Sequence, residues 1–270
     1  MLTEKNGLRL KVLGTRGSMT ICRQDQQAFG GNTSCYMVQA GEETIFLDAG
    51  SGLLDAPVDF PRPPHILLSH LHLDHLLGLG MYPRLSQKDK KTLIYVPVDS
   101  GGDRKEAACR LAGVFSPPYW PLSLDAYSGD VQILPLSFPL KIGDLVVEGI
   151  PGSHPGGCFI FILRWKDKRI VYATDYEYDE ASFQRLMKSA RGADLVLFDG
   201  QYTPEELAQR KGFGHSSAVY GMKLMEQCGI GRLLLVHHDP QRTDRQLQAM
   251  EEELARKDIH FAREGEEILL

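Results

Sequence analysis

Three histidines and one aspartate crowd into six consecutive positions directly after the apolar stretch Ile66-Leu67-Leu68. The cluster reads His70-Leu71-His72-Leu73-Asp74-His75. If the apolar stretch is a buried strand, His70 and His72 leave its end on the same side, because side chains two apart share a face. His70 and His72 could then bind one ion, and a helix beginning directly after them would turn Asp74 and His75 towards a second ion. Imidazole and carboxylate are ligands of zinc and its neighbours, so the cluster predicts a metal site, and solvated loop histidines are the less favoured alternative.

Length and charge limit the class of protein. The chain has 270 residues, of which 43% are hydrophobic, and this is enough to bury a large core. We expect a single domain over residues 1–270. The formal net charge of -5 argues against a broad binding surface for nucleic acid, so long duplexes are not expected as substrates.

The first residues and the cysteines bear on the cellular compartment. Residues 1–7 are polar and charged where a secretory signal needs an apolar core, and no apolar run approaches membrane-spanning length. The five cysteines lack CxxC spacing, so neither disulfides nor a thiolate zinc site is predicted. We therefore expect a cytoplasmic protein with no membrane partner. The oligomeric state stays open, with a homodimer among the alternatives.

The order of predicted elements indicates an α/β fold with two sheets. Alternating and apolar runs predict strands at 8–13, 34–39, 44–47, 66–69, 92–96, 131–134, 145–150, 158–165, 169–173, 195–198 and 232–236. Helical patterns fall at 104–114, 181–190, 204–211, 216–228 and 244–257. Both halves run from strands to helices, which predicts a four-layer αββα sandwich with two mixed sheets inside and helices on the outer faces. Active groups would then sit at strand ends along one edge.

Three further candidate ligands each follow an apolar, strand-like run. His154 lies in a glycine-rich turn, where the backbone can pass close to a ligand, and is a third candidate for the first ion. Asp175 ends its strand where a carboxylate can offer one oxygen to each of two metals. His237 follows Leu233-Leu234-Leu235-Val236 and completes the set for the second ion.

With these residues the chain resembles the metallo-β-lactamase superfamily, whose HxHxDH signature stands here at residues 70–75. Later motifs of that superfamily match His154, Asp175 and His237. Asp48, in Phe46-Leu47-Asp48-Ala49-Gly50, matches the first motif aspartate, which supports the metal site without binding metal. The resemblance implies the αββα metallo-β-lactamase fold.

The resemblance also implies two divalent metal ions as cofactors, zinc foremost, with manganese or iron as alternatives. The first ion would take His70, His72 and His154, the second Asp74, His75 and His237, and Asp175 would bridge them. The chain has His237-His238-Asp239-Pro240 where the family has His-Phe-Ser after the last strand. His238 is therefore the alternative to His237 as the last ligand.

Within the superfamily the chain is similar to the ribonuclease Z and phosphodiesterase branch, on the segments 14–18, 30–35 and 214–217. It has residues 198–203 where ribonuclease Z has His-Glu-Ala-Thr, and no evident counterpart of the protruding arm for transfer RNA. The resemblance thus indicates phosphodiester chemistry and not transfer RNA processing. It also makes His215 a candidate proton donor oriented by Asp199, with capping of the next helix as the alternative role for His215.

A pair of divalent ions would activate water and neutralise the charge on a phosphodiester. We expect a dinuclear metal-dependent hydrolase, foremost a phosphodiesterase that uses a metal-bridging hydroxide on a small or single-stranded phosphodiester. Asp74, Asp175 and His215 are the predicted catalytic groups. Asp74 would accept a hydrogen bond from the bridging water, and Asp175 would fix the separation of the ions.

Three residues are candidates for substrate binding. Tyr119 and Trp120 lie in a proline-rich turn outside any periodic core run and are predicted to stack on a flat group of the substrate. A packed loop plug is the alternative for both. Arg16, in the opening loop, is predicted to donate to phosphate, with pairing to a local carboxylate as the alternative.

Other reactions share the HxHxDH signature. A thioester or lactone hydrolase, of the glyoxalase II or lactonase kind, is the second hypothesis. An iron persulfide dioxygenase is less favoured, because a full set of second-site ligands argues against a mononuclear iron enzyme. A catalytically idle metal-binding module is disfavoured, because no ligand position is replaced.

Overall fold

Two seven-stranded sheets, packed face to face, form the centre of the structure. The computed structural model describes residues 7–270; residues 1–6, whose polarity argues against a secretory signal, lie outside the described residues. The first sheet contains β1 (Leu8–Gly14), β2 (Cys35–Ala40), β3 (Glu43–Leu47), β4 (His65–Leu67), β5 (Lys91–Val96), β6 (Asp130–Pro135) and β14 (Glu267–Leu269). Their order across the sheet is β14-β1-β2-β3-β4-β5-β6.

The second sheet is built from the second half of the chain. It contains β7 (Leu140–Ile142), β8 (Leu145–Gly152), β9 (Cys158–Trp165), β10 (Lys168–Ala173), β11 (Leu195–Asp199), β12 (Arg232–Val236) and β13 (Ile259–Phe261). Their order is β13-β12-β11-β10-β9-β8-β7. The strands β10 to β13 pair in parallel, while β7 to β10 pair antiparallel, so the sheet is mixed.

Helices cover the outer faces of both sheets. They are α1 (Arg104–Ala112), α2 (Glu180–Ala190), α3 (Pro204–Gln209), α4 (Ala218–Cys228) and α5 (Asp244–Leu254). Helix α1 packs on β5 and β6, whereas α2, α4 and α5 pack on the second sheet. Side chains of Asp103, Asp179, Thr203 and Thr243 cap α1, α2, α3 and α5 by accepting backbone N–H groups of the first turn.

The central strands are apolar on both faces because each face is covered. In β9, Phe161 and Leu163 point into the core between the sheets, while Ile160 and Ile162 point towards the helices. The same alternation holds in β10, β11 and β12. Strands of this kind read as continuous apolar runs, which is why they were predictable. Residues from both halves of the chain contribute to the core between the sheets.

The predicted αββα sandwich is confirmed, and the eleven predicted strands are all present with ends shifted by at most two residues. Three strands of three residues each (β7, β13 and β14) escaped prediction because so short a run has no measurable period. The helix expected from Leu73 is a single 3-10 turn, Leu73–His75. Among residues 7–270, no helix combines the length and the apolar character that crossing a membrane requires.

The core between the sheets predicts a large cost for truncation there. Leu234, in β12, is fully buried in that core. We expect Leu234→Ala to lower the free energy of unfolding by about 2–5 kcal/mol, because it leaves a cavity that the two sheets cannot close. Urea unfolding followed by circular dichroism measures the change. Leu122→Ala, at a side chain 52% exposed, is the control and should shift stability by less than about 0.5 kcal/mol; equal losses in both variants would contradict this account.

Candidate metal centre

Seven imidazole and carboxylate side chains meet at one edge of the sandwich, where strands β4, β8, β10 and β12 end. They form two groups in which the candidate ligand atoms lie within 4.8 Å of one another. The first group is His70, His72, His154 and Asp175, and the second is Asp74, His75, His237 and Asp175. The structure thus brings together all seven residues that the sequence analysis selected as ligands.

Asp175 belongs to both groups and divides its two oxygens between them. Its Oδ2 lies 3.5 Å from Nε2 of His70 and 3.5 Å from Nε2 of His154. Its Oδ1 lies 3.1 Å from Nε2 of His75 and 3.2 Å from Nε2 of His237. This is the arrangement of a bridging carboxylate.

The spacing of these atoms fits metal coordination. Four ligands placed tetrahedrally at zinc distances lie about 3.3 Å from one another. The second group has this spacing, since Asp74 Oδ2 is 3.3 Å from His75 Nε2 and 3.2 Å from His237 Nε2. Moreover, Nε2 of His70 and Nε2 of His75 are buried and make no hydrogen bond within the described part of the chain. A metal ion bound between these nitrogens would accept their lone pairs, so the residues present are suited to bind metal ions.

Asp48 lies behind the second group and fixes His75. Its Oδ2 is 2.7 Å from His75 Nδ1 and also accepts hydrogen bonds from the hydroxyls of Tyr172, at 2.7 Å, and Ser69, at 2.8 Å. A histidine whose Nδ1–H is held in this way presents Nε2 to a metal. Ser69 in turn lies 3.0 Å from Nδ1 of His70. Sequence analysis missed Ser69, which adjoins the cluster, and Tyr172, which looks like an ordinary core residue.

The remaining histidines are oriented by other acceptors. Nδ1 of His154 lies 2.8 Å from the carbonyl oxygen of Gly214, and Nδ1 of His237 lies 2.8 Å from Oε1 of Gln201. His72 differs, because its Nδ1 faces the group, 3.0 Å from Nε2 of His154. Four of the five histidines therefore offer Nε2 to the centre.

Left-handed backbone points several of these side chains inward. Asp48, Asp175 and His237 have φ values of 61°, 51° and 62°, a region that residues other than glycine rarely adopt. Each follows the end of a strand, so the chain turns sharply there. The opening loop packs close by: a Cβ on Gly17 would lie 2.3 Å from the His237 ring, and the N–H of Ser18 donates to Asp74 Oδ2 at 2.7 Å. The loop can approach this closely only because residue 17 is glycine.

The charges of the two groups differ. Burial lowers the pKa of His237, but the carboxylates of Asp175 and Asp74 outweigh burial and raise it to about 9. Burial also lowers the pKa of His75, but the same carboxylates outweigh burial and raise it well above its usual value. In the first group, burial and then the neighbouring imidazole of His75 hold the pKa of His70 well below its usual value. A metal ion must therefore displace protons from the second group but finds His70 already neutral.

His215 lies beside the second group and is held by Asp199. Its Nδ1 is 2.9 Å from Asp199 Oδ2, while Asp199 Oδ1 accepts the N–H of Ser216 at 3.2 Å. The ring stacks on that of His237 with centroids 4.8 Å apart. The N-cap of α4 is Ser217, so His215 is not the capping residue. A cleft of about 370 Å³ opens here, lined by Ser18, Leu71, His72, Leu73, Asp74, Asp175 and His215.

The structure places two of the predicted substrate-binding residues in packed surroundings, outside the residues that line the cleft. Arg16 is fully buried, and its guanidinium donates to the carbonyl oxygens of Gly30, Asp239 and Arg242 at 2.8–3.2 Å. It ties loops together through these carbonyl oxygens and makes no hydrogen bond to a carboxylate within residues 7–270. Trp120 is a packed plug, because its ring meets Phe115 edge-on with centroids 5.6 Å apart and its Nε1 donates to a tyrosine hydroxyl.

Tyr119 and His238 also lie outside the groups. Tyr119 is 80% exposed and is not among the residues that line the cleft. His238, the alternative last ligand, donates from Nε2 to the carbonyl oxygen of Ala262 at 2.8 Å. Burial lowers the pKa of His238 to about 3. The side chain that faces the groups is that of His237.

Comparisons with known proteins agree with this geometry. The family model described as "Beta-lactamase superfamily domain" matches residues 43–238. An uncharacterised protein of Mycobacterium tuberculosis (strain H37Rv) is 29% identical over 246 residues, covering 86% of this chain and 81% of that protein. Ribonuclease Z of Ignicoccus hospitalis is 25% identical over 240 residues, covering 73% and 79%. The crystal structure of the metallo-beta-lactamase fold protein YhfI from Bacillus subtilis superposes with a TM-score of 0.72 at 20% identity, covering 98% and 100%.

The ion pairs of the second group predict opposite pH responses with and without metal. In metal-free protein, the raised pKa values of His75 and His237 give stability that is fully present below pH 6.5 and is lost as the pH rises, in the case of His237 through its pKa of about 9. Between pH 6.5 and 8.5 we expect the free energy of unfolding in chelator to fall by on the order of 1 kcal/mol per pH unit. Zinc affinity should instead rise with pH, because binding releases protons.

Urea unfolding at three pH values, in chelator and in zinc, measures both trends. His237→Gln, which removes one of the two charged imidazoles, should flatten the slope of the metal-free protein. A metal-free protein that keeps or gains stability from pH 6.5 to 8.5 would refute this account of the ion pairs.

Proposed function

The chain belongs to the beta-lactamase superfamily as a metal-dependent hydrolase, and from this premise we propose that it hydrolyses small phosphodiesters at a centre of two divalent ions. The observation that carries the proposal is the Asp175 carboxylate, whose two oxygens face two separate ligand groups. We assign His70, His72 and His154 to the first ion, Asp74, His75 and His237 to the second, and Asp175 to both. Zinc suits this set of imidazoles and carboxylates, and manganese and iron are the alternatives.

The bound ions would supply an activated water near neutral pH and neutralise charge on the phosphate oxygens. The protein side chains hold the rest of the machinery. Asp199 holds Nδ1 of His215, so Nε2 of that ring is left to carry the proton that the leaving oxygen requires. Asp74, fixed by the N–H of Ser18, orients the attacking water beside the cleft.

The cleft favours a small substrate with one phosphate. None of its lining residues within the described chain is lysine or arginine, and Arg16 is buried elsewhere. A nucleic acid strand carries a phosphate at each nucleotide and is normally bound by basic side chains along its path. Leu71 and Leu73 line the cleft and offer apolar contact to the ester groups. The similarity to a ribonuclease Z supports phosphodiester chemistry in general.

Turnover of simple diesters tests the proposal. Zinc-loaded protein should release p-nitrophenolate from bis-p-nitrophenyl phosphate, lose this activity in chelator and regain it with zinc. A panel with a cyclic mononucleotide, a dinucleotide and a glycerophosphodiester would define the class. The proposal is wrong if no diester is turned over by metal-loaded protein, and thioester turnover with inert diesters would identify the alternative hydrolase reaction.

His215 should be needed for proton transfer but not for metal binding. We expect His215→Gln to lower kcat for an alkyl leaving group by about 10²–10⁴-fold while the metal content stays at the wild-type level. An activated p-nitrophenolate leaving group needs less protonation, so its kcat should fall less. His260→Gln is the matched control, because His260 lies on β13, pairs with Glu266 and belongs to neither ligand group. Equal losses for the two leaving groups would contradict proton donation by His215.

A further inference from the structure

We infer that Gln201 is a positioning residue that fixes the His237 ring so that its Nε2 is offered to the second metal ion. The inference rests on the proposed two-ion centre and adds a residue to it. Gln201 is buried, and its Oε1 lies 2.8 Å from Nδ1 of His237. On the other side of that ring, Nε2 lies 3.2 Å from Asp74 Oδ2 and 3.2 Å from Asp175 Oδ1.

The amide oxygen determines which ring nitrogen carries the hydrogen. An oxygen can only accept, so the Nδ1 that faces it must be an N–H, and in the neutral ring that binds metal the lone pair is left on Nε2. The reverse orientation of the amide would place its NH₂ against Nδ1 and leave the ring hydrogen on Nε2, where it would block metal binding. Gln201 therefore does for His237 what the Asp48 carboxylate does for His75.

The backbone around Gln201 holds its side chain in register with His237. The N–H of Gly200 donates to the carbonyl oxygen of Val236 at 2.9 Å, one residue before His237. The N–H of Gln201 donates to Asp199 Oδ1 at 3.1 Å. The last residue of β11 thus presents the Asp199 carboxylate to His215, and the turn after it presents the Gln201 amide to His237; the two histidine rings stack.

A neutral acceptor at this position has an electrostatic reason. Asp48, Asp74, Asp175 and Asp199 already bury four carboxylates around the two ligand groups. A fifth buried negative charge beside Asp199 would add like-charge repulsion that the low-dielectric interior screens weakly. The amide supplies the acceptor that the imidazole needs without adding charge.

Direct measurement of bound ions tests the inference. Gln201→Met keeps the length and shape of the side chain but removes the acceptor, and we expect affinity for one of two zinc ions to fall about 10–100-fold while the other is unchanged. Gln201→Glu restores an acceptor and should bind the affected ion more tightly than Gln201→Met does. Gln26→Met is the matched control, because Gln26 is equally buried and donates to carbonyl oxygens of Pro240 and Arg242. It should bind both ions as the wild type does.

A second readout reports on the ring itself. In zinc-loaded protein labelled with ¹⁵N-histidine, long-range proton–nitrogen spectra should show His237 with its hydrogen on Nδ1, and Gln201→Met should shift or broaden that N–H signal. The inference is overturned if the His237 hydrogen is on Nε2, if Gln201→Met binds both ions with wild-type affinity, or if the wild type binds fewer than two. Because ions are counted directly, a wild type that binds two ions without hydrolysing diesters would refute the proposed function and leave the role of Gln201 standing.

Discussion

The contact of the buried Asp175 carboxylate with four imidazole nitrogens is the interaction on which the rest of the site depends. A carboxylate without water is costly to bury, and Asp175 is buried at the end of a central strand, in left-handed backbone. The histidines on either side offset that cost and hold its pKa well below the usual range, although burial alone would raise it. Each of its oxygens is thereby committed to a different group of ligands, so a single side chain sets the geometry of both.

The residues behind the ligands turn this contact into a rigid site. Asp48, Gln201 and the carbonyl of Gly214 each hold the far nitrogen of one histidine within 2.8 Å. Most of these acceptors stand at or beside strand ends, where the sheets hold the backbone in place. A ligand ring fixed at both ends cannot rotate away from the centre, which is the property that a preorganised metal site requires.

The sequence was most informative where chemistry and spacing coincide. The 70–75 cluster is contiguous, so strand and turn geometry alone predicted that His70 and His72 point to one site and Asp74 and His75 to another. The apolar runs predicted strands that are covered on both faces. His154, Asp175 and His237 were recognisable because each follows such a run. Tyr172 and Gln201 were not, because their roles come from contacts with distant residues and their side chains are unremarkable locally. The role of Arg16 was open for the same reason, because the sequence around a loop arginine does not show which acceptors its guanidinium contacts; here it contacts buried carbonyl oxygens.

The charges of the residues around the cleft bear on how a substrate would be bound. Asp74 and Asp175 line the cleft together with His72 and His215, none of its lining residues in the described chain is lysine or arginine, and the amide at position 201 adds no further negative charge. Without metal, the raised pKa values of His75 and His237 keep these imidazoles charged and offset the two carboxylates, so the protein alone gives a phosphate little net attraction. If the proposed function holds, attraction for an anionic substrate would come mainly from cations bound by the two ligand groups. Under the proposed function, metal binding would therefore precede binding of a phosphodiester, because the ions would supply the attraction that the lining residues lack.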